Sequence, residues 1–208
     1  MPIRNLQREW VFPKLLDIPP DFQADLGGSS VFIQTLYRRG INSINSAGGF
    51  LNPDLYQPAL PSQLPGLTKA ADRILEAFNK GQTILVWGDF DVDGQTSTTL
   101  LVSALSGHGS QIHHYIPNRA RESHGVSINS LANQIAAHAP SILLTCDTGI
   151  DAVEAVEFAQ TSGLDVIITD HHQLPLTLPK SYATINPNML PEEHPLINLP
   201  GEIGRAHV

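Results

Sequence analysis

With 208 residues, the chain is long enough for one sizeable domain with a core of its own, or for one domain and an appendage. A net charge of −8 excludes a protein coated in basic surface for non-specific nucleic-acid binding, while leaving room for a local basic groove. The single cysteine, Cys146, excludes an internal disulfide and any cysteine-based zinc site.

The opening "MPIRNLQREWVFPKLL" has neither the apolar run nor the small-residue cleavage site of a signal peptide. No stretch approaches the roughly 20 apolar residues of a membrane span. The expectation is a soluble, cytoplasmic protein with no membrane partner.

Residues 1–65 are rich in proline and glycine and weakly periodic. "VFIQTLYRRG" (Val31–Gly40) predicts a helix ended by glycine, and the helix dipole accounts for Arg38 and Arg39 at its end. "NPDLYQPALPSQLPG" (Asn52–Gly66) is expected to be an extended connector. From Leu67 the pattern changes. "LTKAADRILEAFNKG" predicts an amphipathic helix with Ala71, Ile74, Leu75 and Phe78 on one face and Gly81 as its stop. A strand follows at 83–87, then a helix "QTSTTLLVSALSGHG" ending near Gly107 and a strand at 111–117. The remaining elements are a helix at 127–139, a strand at 141–145, a helix at 150–163, a strand at 165–169 and a short strand at 182–186. Strands alternating with helices predict an α/β fold. It has an open, mainly parallel sheet of about five strands flanked by helices, after a largely helical and irregular N-terminal segment. The expected division is 1–65, 66–200 and a tail, 201–208.

In open parallel sheets ligands bind beyond the carboxyl ends of the strands, so the residues just after each strand are the ones to read. After the first come Asp89, Asp91 and Asp93, in "GDFDVDG". After the second comes "NRARESHG", with Asn118, Arg119, Arg121, Glu122 and His124. After the third comes Asp147, in "CDTG", and after the fourth come Asp170, His171 and His172. The first cluster is not an EF-hand loop. That loop needs a glutamate at its twelfth position, which here is Leu100, and a preceding helix rather than a strand. Four strand ends delivering polar groups to one rim point to bound cations instead. Carboxylates with imidazole and no thiolate suit Mn²⁺ or Mg²⁺, with zinc, cobalt or iron as alternatives. Two such ions about 3.5–4 Å apart are a standard device for phosphoester hydrolysis. Arg119 and Arg121 fit as anion partners, because guanidinium grips phosphate oxygens in pairs.

"GDFDVDG", "CDTG" and "TDHH", in this order and each at a strand end, resemble the DHH phosphoesterase superfamily. "IPNRARESHG" and "LTKAADRILEAFNKGQTILVWGDFDVDG" resemble its RecJ branch, the single-strand-specific exonucleases. The resemblance runs from about Ile33 to Gly201. It implies two-metal hydrolysis of single-stranded DNA from the 5′ end, in DNA repair and recombination. A single-strand-binding protein and a helicase are candidate partners beside the DNA. It also implies roles. Asp91, Asp93 and Asp147 ligate metal, with Asp147 bridging. His171 ligates the second ion, and Asp89 the first or a ligand of it. His172 faces the substrate phosphate, Asp170 orients a histidine, and Arg119 and His124 touch the nucleic-acid backbone.

The chain departs from the family at three points. Trp87 stands where a histidine is common, and Ser123 where a glycine is. After Leu199–Gly201 the tail "EIGRAHV" does not resemble the family's glycine-rich helix start, or the further strand that carries another aspartate ligand. The expectation is therefore a catalytic-core fragment, weakly active or inactive alone. Among the remaining residues, Cys146 is expected to be buried and inert, one of His113 and His114 packed and one solvated, and His108, His138, His194 and His207 on the surface. Two other functions compete. One is an oligonucleotide or cyclic-dinucleotide phosphodiesterase, or a pyrophosphatase, from other DHH branches. The other is a non-catalytic nucleic-acid-binding module.

Overall fold

The computed structural model describes residues 11–57, 59–122, 124–197 and 199. Ser123 and the tail 201–208, on which two of the departures rest, lie outside the described residues, as does His207. Contacts divide the chain into two units, Met1–Pro58 and Ala59–Val208. No helix among the described residues is long and apolar enough to cross a membrane.

The first unit holds three short helices: α1 (Pro20–Leu26), α2 (Ser30–Arg38) and α3 (Ile44–Leu51). Ser29 caps α2 by accepting from the Phe32 backbone N–H, and Ser43 and Ser46 form a reciprocal cap on α3. Phe22, Ile33 and Ala47, one from each helix, make a small core. Only α2 stood out in the sequence, because α1 and α3 are too short for periodicity and α3 contains Gly48 and Gly49. The proline-rich connector is not wholly extended; single 3₁₀ turns occupy Pro53–Leu55 and Pro61–Gln63.

The second unit is built as expected from alternating elements. They are α4 (Leu67–Lys80), β1 (Ile84–Trp87), α5 (Val92–Leu105), β2 (Ile112–Tyr115), α6 (Ile128–His138), β3 (Ile142–Cys146), α7 (Val153–Thr161), β4 (Asp165–Thr169) and β5 (Ala183–Ile185). The five strands pair in the order β2-β1-β3-β4-β5, and every pairing is parallel. Both faces are covered, so the central strands read as continuous apolar runs. Ile84, Val86, Ile142, Leu144 and Ile167 pack under α4 and α5. Leu85, Trp87, Leu143, Val166 and Ile168 pack under α6 and α7.

The buried stripe of α4 matches the expected one in part: Ile74 and Phe78 pack against the core, but Ala71 is exposed. Ala70, Arg73 and Ala77 face the sheet, while Leu75 is exposed. Arg73 is held there by Asp165 at 2.7 Å and Gln82 at 2.9 Å, and the flanking alanines let the helix approach closely. The buried charged residue turns the helix slightly from the rotation that apolar periodicity alone predicts.

The chain runs from β1 to β2 on one side and returns to place β3 on the other. The order of growth therefore reverses between β1 and β3. Adjacent loops diverge at that point and leave a crevice beyond the strand ends.

Candidate metal centre

The loop after β1 leaves the sheet at once and starts α5 within five residues. Asp89 is buried, and its Oδ1 accepts from the Phe90 backbone N–H at 2.6 Å. Asp91 is the N-cap of α5, its Oδ1 accepting from Gly94 N–H at 2.9 Å, and Asp93 lies in the first turn. Asp91 and Asp93 thus lie where the helix dipole favours negative charge, which offsets part of their mutual repulsion. The helix begins at Val92, not at Gln95 as expected, because Asp91 supplies this cap. Gly94 answers to the same geometry: a Cβ there would lie 2.5 Å from the Asp89 carbonyl oxygen.

Asp147 follows β3 and takes a left-handed backbone conformation, φ 60°. Its side chain is 1 % exposed. Oδ1 lies 2.8 Å from His171 Nε2, whereas Oδ2 is buried without a hydrogen-bond partner. Burial, and then the charge of Asp91, push the Asp147 carboxyl up to about 6, against the opposing pull of His171. Asp170 follows β4 and is equally buried but fully engaged. Its Oδ1 accepts from His171 N at 2.7 Å, His172 N at 3.0 Å and His172 Nδ1 at 2.7 Å, and its Oδ2 accepts from Ile150 N at 3.0 Å. That bond to Ile150 holds the residue in a turn, so α7 begins at Val153 rather than at Ile150 as expected. Burial of the His172 ring works to lower its pKa, but the hydrogen bond and charge of Asp170, with Asp147 and Asp89, raise it overall.

One donor atom each from Asp147, His171 and His172 lies within 4.8 Å of the others. Asp91 and Asp93 lie outside this group, although Asp147 feels the charge of Asp91. A crevice of ≈ 260 Å³ reaches Asp89, His124, Asp147, Asp170 and His172. The chemistry suits a divalent cation: hard oxygen and imidazole donors, an unpartnered buried carboxylate oxygen, and excess negative charge that a cation would relieve.

The loop after β2 carries the basic residues. Glu122 fixes it, accepting from Tyr115 Oη at 2.7 Å, Asn118 N at 3.1 Å and Ser130 Oγ at 2.6 Å. Arg119 lies over the Phe90 ring at 5.2 Å, and His124 Nδ1 is 3.5 Å from Asp89 Oδ2. Arg121 is exposed on the same loop. Trp87 is fully buried and packs on Tyr115 at 4.5 Å, so it belongs to the core. Cys146 is buried, and burial pushes its thiol up to about 11. His113 is part-buried and stacks on His138, which is thereby more than a surface residue, while His114 is exposed.

Asn186 and Asn188 were missed by sequence reading. They follow β5 and brace the Asp-His-His segment from below. Asn186 Nδ2 donates to His172 O at 2.9 Å, and Asn188 Nδ2 donates to His171 O and His172 O at 2.8 and 3.0 Å. The strand-end rule, carried one strand further to "NPN", finds them.

Fold and centre together define a doubly wound α/β protein with a carboxylate–imidazole cluster at its topological switch point. Residues 83–194 match the DHH family, N-terminal domain. The chain belongs to that family. It is 36 % identical over 169 residues to the single-stranded-DNA-specific exonuclease RecJ of Bacillus subtilis, covering 80 % of this chain and 21 % of that protein. It is 41 % identical over 140 residues to the RecJ of Escherichia coli, covering 67 % and 24 %. Among solved structures, an exonuclease RecJ bound to manganese superposes with a TM-score of 0.60 at 34 % identity, over 66 % of this chain and 35 % of that one. The chain thus spans between a fifth and a quarter of the length of these curated relatives.

Proposed function

We propose that this chain carries the phosphodiester-cleaving centre of a RecJ-type exonuclease, which degrades single-stranded DNA from the 5′ end in repair and recombination. Asp89, Asp91, Asp93, Asp147 and His171 hold two divalent cations, Mn²⁺ or Mg²⁺. When bound, such a pair polarises the phosphodiester and lowers the pKa of water. The chain's own residues do the rest. Asp147 lies between the β1 loop and His171 and serves both ion positions. Asp170 holds the His172 imidazole by Nδ1 and favours its protonated form, leaving Nε2 for the scissile phosphate. Arg119, Arg121 and His124 grip the strand's backbone, and a single-strand-binding protein or helicase presents the strand.

The observation that carries this reading is the unpartnered Oδ2 of Asp147, buried at the switch point next to His171. Its relatives' names support the substrate, and the manganese of the superposed relative supports the metal. The test is a Mn²⁺ titration of cleavage on a 5′-phosphorylated single strand, with duplex and dinucleotide beside it and Asp147→Ala as control. Metal-dependent loss of the single strand, absent in the variant, is expected. Preference for the dinucleotide would move the chain to another DHH branch. Mn²⁺ binding by calorimetry without turnover would point to an incomplete catalytic core or to a binding module.

A further inference from the structure

Phe90 separates Asp89 from Asp91, and its backbone is tied into the metal-centre loop. Its N–H donates to Asp89, and its carbonyl accepts from Gln95 Nε2 at 2.6 Å. Its half-buried ring belongs to neither core of the sheet. Instead it meets the loop after β2 twice. The Arg119 guanidinium lies 5.2 Å from its centroid, and the His124 ring lies 4.4 Å away at an interplanar angle of 47°. That loop is anchored from its other side by the three hydrogen bonds to Glu122. Arg119 is exposed, and the His124 side chain is 75 % exposed. Free of the ring, Arg119 would sample many rotamers and His124 would keep only its 3.5 Å contact to Asp89, so ordering them would cost side-chain entropy.

We propose that Phe90 is a positioning residue. Its ring holds Arg119 and His124 beside the carboxylates as a preformed grip for a strand phosphate, and does not itself touch the DNA. This rests on the reading of Arg119 and His124 as backbone contacts. It explains why an aromatic residue stands between two acidic ones: the same short segment builds the acidic wall and aims the basic one.

Two measurements on the whole chain test it. In the metal-free protein, the His124 ring protons, assigned with His124→Gln, are expected to carry a ring-current displacement. Phe90→Leu loses it and Phe90→Tyr keeps it. Unchanged resonances in Phe90→Leu overturn the proposal. The second measurement is binding of a 5′-phosphorylated single strand at several salt concentrations. Phe90→Leu is expected to weaken it roughly twofold to fivefold, the size of an exposed cation–π contact, with Mn²⁺ affinity unchanged. The salt slope flattens by about 0.7 for each strand phosphate that the protein no longer neutralises. The substitution is expected to add less in an Arg119→Ala background, and nothing once His124→Gln is added to it. Weaker binding at an unchanged slope would mean that Phe90 stacks on a base, and the positioning role falls. A wild-type chain that binds no strand overturns the functional reading, and the role of the grip with it; the imidazole measurement then decides whether the grip itself exists.

Discussion

Asp147 and Asp170 end neighbouring strands, and both are almost wholly buried. Their surroundings differ in one respect. Asp170 accepts four hydrogen bonds from protein donors, three of them from backbone N–H groups. Asp147 has one partner, His171, and a bare second oxygen. A buried carboxylate with its lone pairs filled is a structural fastener. A buried carboxylate with one oxygen left open is costly unless something else fills it. The pair shows how a site can divide its acidic residues: one shapes the Asp-His-His turn, and its neighbour stays available.

Removing each carboxylate separates the two roles. Asp170→Ala leaves four donors without their acceptor, one buried and three part-buried, so urea unfolding is expected to show a loss of about 3 kcal/mol. Asp147→Asn removes a buried charge that His171 offsets only in part, and at pH 7 without metal it is expected to be at least as stable as the wild type. Equal destabilisation by both would erase the distinction. Metal addition reverses the ranking. At a hundredfold excess over Kd, Mn²⁺ is expected to stabilise the wild type by about 2.7 kcal/mol. Asp147→Asn loses that gain, as a shift in unfolding midpoint with added Mn²⁺ would show.

Acidity sharpens the contrast further. The Asp147 carboxyl is raised from 3.8 to about 6 on folding, so between those values the folded chain binds more protons than the unfolded chain. Its stability contribution is present below 3.8 and is lost as pH rises through 6. His172 is raised above 6.5 and acts in the same direction, losing its contribution as pH rises through its folded value. Glu122, lowered below 4.5, opposes them at the acid end. In the metal-free protein these raised groups are therefore expected to make stability fall as pH rises from about 4.5, through the Asp147 value near 6 and on through that of His172. His113, lowered below 6.5 by burial, offsets part of the fall. Asp147→Asn keeps only the upper part of that slope. Unfolding free energies measured at several pH values in a chelator test this directly.

The sheet and most of its helices were legible because their apolar residues repeat with strong periods and end in glycine or a change of polarity. The rim was legible because the strand-end rule gathered Asp89, Asp91, Asp93, Asp147, Asp170, His171 and His172 without any contact being known. Three things were not. The rotation of α4 depends on Asp165, far away in sequence, which draws Arg73 inward. The first turn of α5 depends on which aspartate caps it. The difference between Asp147 and Asp170 depends on which backbone N–H groups lie within reach, and that is set by the turn at Ile150 and the φ of 60° at Asp147. Periodicity records faces; it does not record who donates to whom.

Asn188 offers the smallest effect and the finest test. Its amide holds the carbonyls of His171 and His172 from a strand end that contributes nothing to the acidic cluster. Asn188→Ala is expected to cost about 1 kcal/mol of stability, the net worth of an ordinary hydrogen bond. Its effect on Mn²⁺ affinity is expected to be larger in proportion, about tenfold, as for groups that orient a ligand without touching the metal. The two numbers separate two accounts of the site. If the open oxygen of Asp147 alone sets affinity, Asn188→Ala binds Mn²⁺ as the wild type does. If affinity needs His171 aimed at that oxygen, the variant loses metal while remaining folded, and calorimetry on both proteins distinguishes the cases.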